Sequence, residues 1–315
     1  MRSSGIETRL RAPRLIPRSK TIWRIPGAHA SVPRVSHLAE VAPVMAVLER
    51  PHGLLEAPRF GAGGELVYSD VLGGGVWACS PEGRVDELLA KRRGIGGIVP
   101  HARGGWVISG RSVVHLAPDG SQRTLLADED ACGYNDLGTT AQGDLLAGVL
   151  RYRPLAGEPP TPGRLVRLAA DGSLQVLNDE VIWPNGIGIS PDGETVYLSD
   201  YARKVVLAVP AAGGDARVFC SVARGSPDGL AIDARGGVWV ALGDAGAVAR
   251  FSSAGTLDET ISLAAGFVSS LCFGGPDMRD VLITTADNHI RPELGGTLLR
   301  ARSDLAGLAA VPTVA

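Results

Sequence analysis

The sequence predicts an all-β protein, a six-bladed β-propeller with four antiparallel strands per blade. Three observations carry this. A motif recurs at a period of about 40 to 50 residues, the range of propeller blades. Hairpin turn chemistry separates strand-like runs throughout. The 42 glycines stand against about 22 expected from average usage near 7%, which favours many tight turns over long helices.

The repeat is clearest in WPNGIGISPDG (183–193), where an Asn-Gly pair precedes a short apolar strand. Taken alone, Asn-Gly marks a hairpin tip. PNGIGIS (184–190) aligns with PDGLAID (227–233), however, and each is followed by a glycine turn and a second strand, GETVYLSD and GGVWVAL. The turn glycine, Gly193 or Gly236, lies eight residues after Asn185 or Asp228. The same offset joins Glu56 to Gly64 ahead of ELVYSD and Asn135 to Gly143 ahead of DLLAGVL. Gly96 to Gly104 keeps the spacing without a polar anchor, and LCFGGPDMRDVLITT fits best with Ser269 or Ser270 at the anchor position.

Each repeat continues into a second strand pair with a turn at its middle: VWACSPEGRVDELL, VVHLAPDGSQRTLL, LVRLAADGSLQVL, VVLAVPAAGGDARVF, AVARFSSAGTLDETI and TLLRARSDLAG. Pro-Asp-Gly and Ala-Asp-Gly between alternating strands are hairpin signals. No repeat holds a helical period long enough for βαβ units, so helices should be nearly absent. A strand from within VAPVMAVLE (41–49) is expected to complete the last blade, which would otherwise leave an exposed edge. The propeller should span 35–315. Residues 1–34 carry eight Arg and Lys against one acid, Glu7. They read as a basic, disordered extension, dispensable for folding, and match an organelle transit peptide only loosely.

In a propeller the first strand of each blade runs beside the central channel. Residues sharing its starting register therefore converge at one mouth, and Asn185 becomes a ring member with Glu56, Asn135 and Asp228. Two carboxylates and two amide carbonyls form an all-oxygen set of charge about −2, suited to one divalent cation, Ca²⁺ first, with Zn²⁺, Mg²⁺ or Mn²⁺ as alternatives. Without a cation, Glu56 and Asp228 would repel each other. Taken singly, each of the four also reads as a strand-start residue satisfying local backbone groups.

These stretches resemble the regucalcin, gluconolactonase and luciferin-regenerating group of six-bladed propellers over roughly residues 50–300. LLEAPRF resembles the group's Glu-Gly-Pro start, YNDL its Asn-Asp motif, and WPNGIGISPDGETVYLSD its most distinctive segment. SPDGLAIDARGGVWVA and SLCFGG resemble its fifth and sixth blades. The resemblance implies Glu56, Asn185 and Asp228 as direct metal ligands, Asn135 as ligand or substrate contact, and Asp136 as a supporting neighbour beside the substrate. Diisopropyl fluorophosphatase is similar in placing Glu, two Asn and Asp around a calcium. Two departures stand out. Gly133 occupies the place where several sugar-lactonase members carry a substrate-binding Arg, and Glu-Ala-Pro replaces Glu-Gly-Pro.

The implied activity is metal-dependent hydrolysis of a lactone or related ester, with Asp228 the candidate general base. Alternatives are a phosphotriesterase-like hydrolase and a non-enzymatic propeller plugged by calcium. No G-x-S-x-G elbow competes. His101 reads as a strand-end core or turn residue and His289 as a loop residue. RYRPLAGEPPTPG (151–163) reads as a lid beside the mouth. The net charge of −2 places −9 on residues 35–315, a poor surface for nucleic acid. No stretch of about 18 apolar residues suggests a membrane span, so a soluble protein is expected. Cys79, Cys132, Cys220 and Cys272 form no CxxC and read as reduced, buried thiols, which predicts a cytoplasmic protein.

Overall fold

The computed structural model describes residues 36–315, and these form one compact unit. The expectations for residues 1–34 lie outside the described residues. Six four-stranded sheets make up the fold, five of them simple meanders of consecutive strands and the sixth completed by the first strand of the described residues. Their innermost strands are Leu55–Phe60, Ile98–Pro100, Gly133–Thr139, Pro184–Ile189, Leu230–Ile232 and Val268–Gly274, defining blades one to six. Among the described residues the only helices are Met45–Leu48 and two 3-10 turns, Pro154–Ala156 and Pro292–Leu294.

The common offset of eight has a backbone cause. Gly64, Gly104, Gly143, Gly193 and Gly236 close the first hairpin of blades one to five with φ of +84, +83, +87, +78 and +77°. This left-handed conformation favours glycine over any residue with a Cβ. The core lies between neighbouring sheets: Leu146 and Leu165 of blade three pack with Ile187, Val196 and Leu198 of blade four.

Closure of the ring departs from expectation in two details. The outer strand of blade six is Leu38–Pro43, running antiparallel to Leu298–Ser303. Only 41–43 of the anticipated 41–49 segment belong to it. Val47 and Leu48 are both fully buried, and Val47 packs with Leu55 and Tyr68. Two consecutive residues cannot share one face of an extended strand, whereas a helical turn buries both. The second detail is TLLRARSDLAG, which supplies one strand instead of two, because Leu38–Pro43 already occupies the outer position. Residues 305–315 instead cross the end of the channel. Leu308 N–H donates to Ile232 of blade five, Thr313 N–H to Pro100 of blade two and Val314 N–H to Gly143 of blade three.

Candidate active site

Glu56, Asn135 and Asn185 sit where the inner strand of their blade is bulged. Glu56 and Arg59, three residues apart, stand opposite Ser69 and Val67, two apart. Tyr134 and Leu137 stand opposite Val149 and Ala147, and Pro184 and Ile187 opposite Asp200 and Leu198. One extra residue in each case breaks the strict alternation of side chains and re-aims the anchor, a device common beside active sites. Blade six bulges between Val268 and Ser270. Asp228 precedes the inner strand of blade five, its N–H bonded to Ala241 O.

The four anchors are at one mouth of the channel, and their contacts run from blade to blade. Asn185 Nδ2 donates to Asp228 Oδ1, and Gly186 N–H to Asp228 O at 3.1 Å. Asn135 Nδ2 donates to Pro184 O at 2.9 Å. Asp136 turns toward blade four, accepting from Leu137 N–H at 2.7 Å and Ile187 N–H at 3.3 Å. In blade six Ser269 Oγ donates to Leu55 O and accepts from Thr284 Oγ1 at 2.8 Å, tying the ring shut beside Glu56.

The anchorless second blade now has a reason. A Cβ at Gly96 would lie 2.2 Å from Asn135 Oδ1, so this blade gives up its side chain to make room for its neighbour's. The glycines after the anchors serve the approach of adjacent backbones: a Cβ at Gly186 would meet Asp228 O at 2.5 Å. In blade one the equivalent residue is Ala57, buried and held at φ +50°. The change from Glu-Gly-Pro therefore places a Cβ in a left-handed conformation.

Glu56, Asn185 and Asp228 are all buried. Burial pushes the Glu56 carboxyl well above its usual range, and the charges of Asp228 and Asp136 push it further, against partial relief from Ala57 N–H and Arg59. Asp228 is raised by burial and then by Asp136, with the Asn185 hydrogen bond opposing. Asp136 is pushed up to about 6 by burial, offset in part by Arg59 and the N–H groups of Leu137 and Ile187. Such a mouth gathers acidic groups that Arg59 offsets only in part, which suits a cation site. Among the described residues no three His, Cys, Asp or Glu are grouped to hold a metal ion. The anchor set contains two carboxylates, and its remaining donors are amides.

Loops ahead of two anchors are held by aspartates in equivalent positions. Asp200 accepts from Ile182 N–H at 2.9 Å and Trp183 N–H at 3.4 Å, while Asp70 accepts from Gly53 N–H at 2.9 Å and Gly73 N–H at 2.7 Å. Sequence reasoning missed Tyr201, directly after Asp200. Its ring lies 4.5 Å from that of Trp183. Burial, with the charges of Asp228, Asp244 and Glu56, pushes the Tyr201 hydroxyl up to about 12. The aromatic pair Trp183 and Tyr201, flanking a distinctive Pro-Asn-Gly strand, was the available signal.

His101 lies at the other end of the channel, buried and stacked on His115 with ring centroids 3.8 Å apart. His289 is exposed on the loop after Asp280–Thr285, on the anchors' face. The segment 151–163 also leaves its strand on that face, with Leu155 exposed.

Fold and mouth together define a six-bladed propeller with a cluster of carboxylates and amides at one end of its channel. The chain belongs to the SMP-30/gluconolactonase/LRE-like family, whose model matches residues 54–287. It is 29% identical over 284 residues to a 6-deoxy-6-sulfogluconolactonase of Pseudomonas putida, covering 84% of this chain and 96% of that one. It is 30% identical over 241 residues to regucalcin of Xenopus laevis, covering 71% and 79%. The solved structure of a luciferin-regenerating enzyme superposes with a TM-score of 0.76 at 21% identity over 87% of this chain and 99% of that one, a likeness of fold.

Proposed function

We propose that this chain is a divalent-metal-dependent lactonase. The observation that carries the reading is the pair of buried carboxylates, Glu56 and Asp228, raised by burial and by neighbouring acids at the strand-start register that Asn135 and Asn185 share. Glu56, Asn185 and Asp228, with Asn135 beside them, would hold one cation, Ca²⁺ first. Carboxylate and amide oxygens are the donors a hard cation takes, and an amide group can present its oxygen once its N–H is released. A bound divalent ion would polarise the lactone carbonyl and stabilise the oxyanion. Relatives named for lactone hydrolysis, among them the sulfogluconolactonase, support the substrate class.

The chain's own groups supply the proton chemistry. Asp228 takes a proton from water as its oxygen attacks the carbonyl carbon. The ring C–O bond then breaks, and the proton passes from Asp228 to the departing alkoxide, giving the hydroxy acid. Asn185 holds Oδ1 of Asp228, and among the described residues nothing donates to Oδ2. Asn135 and Asp136 would orient the substrate. Gly133 leaves the place of a sugar-binding Arg without a side chain, which favours a lactone less hydroxylated than an aldonolactone.

A lactone panel and an organophosphate panel, each assayed with calcium and with chelator, test the reading. Expected is lactone turnover that is lost on chelation and restored by calcium or another divalent ion. Turnover of organophosphates alone would favour a phosphotriesterase. No turnover at all, with calcium bound, would favour a binding propeller.

A further inference from the structure

The opposite mouth of the channel encloses a cavity of about 520 Å³, lined by the far ends of the inner strands and by the crossing segment at Leu308–Val311. Its walls are apolar, including Phe60, Ile189, Leu271 and Phe273, and Arg59 is the one charged side chain among the lining residues. Arg59 is half-buried. Its Nη1 donates to Pro58 O at 2.7 Å and its Nη2 to Leu137 O at 3.5 Å. Among the described residues it makes no ion pair. A guanidinium has five N–H donors, so several remain for a ligand. The cavity is of small-ligand size, and apolar walls with one convergent polar group are the usual composition of such sites.

We infer that this cavity is a second, non-catalytic binding site for a small amphipathic monoanion, an aliphatic or aromatic carboxylate, with its apolar body against the strand ends and its carboxylate on Arg59. The pairing follows from complementarity. A carboxylate matches the guanidinium fork, and the apolar remainder gains by leaving water at roughly 25 cal/mol per Å². A polyhydroxylated ligand would find, besides Arg59, only the Thr139 side chain and scattered backbone groups for its hydroxyls, so the site disfavours the class of molecule that sugar lactonases handle. The strap 305–315 is bonded to blade five through Leu308, to blade two through Thr313 and to blade three through Val314, and its Leu308–Val311 stretch lines the cavity. The inference does not depend on the activity proposed for the other mouth. The competing account is that Arg59 serves only to offset the charges of Glu56 and Asp136, which both feel it.

Calorimetric titration of the full chain with octanoate, 1-octanol and acetate distinguishes the two. Titrations are run both with saturating calcium and with chelator, so that ligation to a cation at the anchors is recognised by its loss on chelation. Expected is octanoate binding at least about tenfold tighter than acetate in both conditions. Arg59→Met should weaken octanoate by about tenfold or more while leaving octanol unchanged, and Arg59→Lys should recover part of the loss. Ile189→Trp, which adds volume at the cavity wall, should weaken both octanoate and octanol, and it decides the matter if Arg59→Met does not fold. Octanoate binding no tighter than acetate, binding abolished by chelator, or binding indifferent to Ile189→Trp would each overturn the inference. An Arg59→Met protein with altered turnover and unaltered octanoate affinity would do so as well, in favour of charge compensation.

Discussion

The two ends of one channel are built from the same six strands and have opposite character. At the strand starts, bulges in blades one, three and four re-aim Glu56, Asn135 and Asn185 inward. There glycine makes room for a neighbour's polar group, as Gly96 does for Asn135. At the strand ends the side chains facing the channel are apolar, and the single charge is Arg59. One mouth gathers negative charge and the other offers one positive charge in an apolar wall. Chemical character is thus set by position along the inner strand, and a propeller can present two unlike sites without altering its blades.

The largest expected effect breaks the first mouth alone. Asp228→Asn keeps an oxygen of the same shape and removes the basic carboxylate and one charge. General-base assistance is worth about 10² to 10⁴ in rate, so kcat on the best lactone should fall by that range at saturating metal. Octanoate affinity at the other mouth should be unchanged. Near-wild-type kcat under those conditions would assign the base to another group.

A cation should stabilise the fold by mass action. At a hundred times its Kd, a ligand bound only by the folded state adds about 2.7 kcal/mol. Calcium should raise the melting temperature by several degrees, less in Glu56→Gln and no less in Asn185→Asp, where the ring gains a negative charge. Differential scanning fluorimetry over a calcium series measures this. An equal rise in Glu56→Gln would remove Glu56 from the ligand set.

These contrasts also show what could be read in the residues. The anchors were legible because a polar residue before an apolar strand, at a constant distance from a turn glycine, is a pattern that packing alone does not produce. The bulges were not legible, since an extra residue in a strand has no signature beyond glycines such as Gly186, which a turn explains as well. Nothing in the residue pattern set Arg59 apart from the chain's other cations. TLLRARSDLAG has the alternation of a strand and a turn-like Ser-Asp, yet the outer position it would have taken belongs to Leu38–Pro43, some 260 residues earlier in the chain. Competition for a sheet edge is a tertiary matter that local propensity cannot express. The apolar run that straps the channel carries no periodicity to announce it. All four cysteines are free, and Cys79, Cys220 and Cys272 are buried as expected, whereas Cys132 is only half-buried. Among the described residues no helix is long and apolar enough to cross a membrane.

A matched pair of glycine substitutions sharpens the comparison of the two mouths. A Cβ at Gly96 would meet Asn135 Oδ1 at 2.2 Å, and one at Gly307, beside the strap, would meet Phe273 Cγ at 2.0 Å. Overpacking of this kind costs roughly 1–3 kcal/mol, so Gly96→Ala and Gly307→Ala should both lower the urea midpoint. Only Gly96→Ala displaces an anchor, and only it should also reduce turnover. Equal loss of turnover in the two would mean that both act through general instability.

The smallest effect concerns Ala57, where three terms nearly cancel. At φ +50° an alanine pays roughly 1–2 kcal/mol relative to a glycine for the left-handed conformation. Against this, Ala57→Gly loses a buried methyl that packs with Val67 and Ile98, worth about 0.8 kcal/mol. It also frees the unfolded chain at a cost of about 0.5–1 kcal/mol. The stability change should therefore stay under about 1 kcal/mol in either direction, measured by urea denaturation at constant m-value. Turnover should not change if the bulge, paired to Ser69 and Val67 on either side, is what aims Glu56. If Ala57→Gly instead lowers turnover while stability holds, then the methyl, wedged beside the carboxylate, is what keeps Glu56 turned toward the channel.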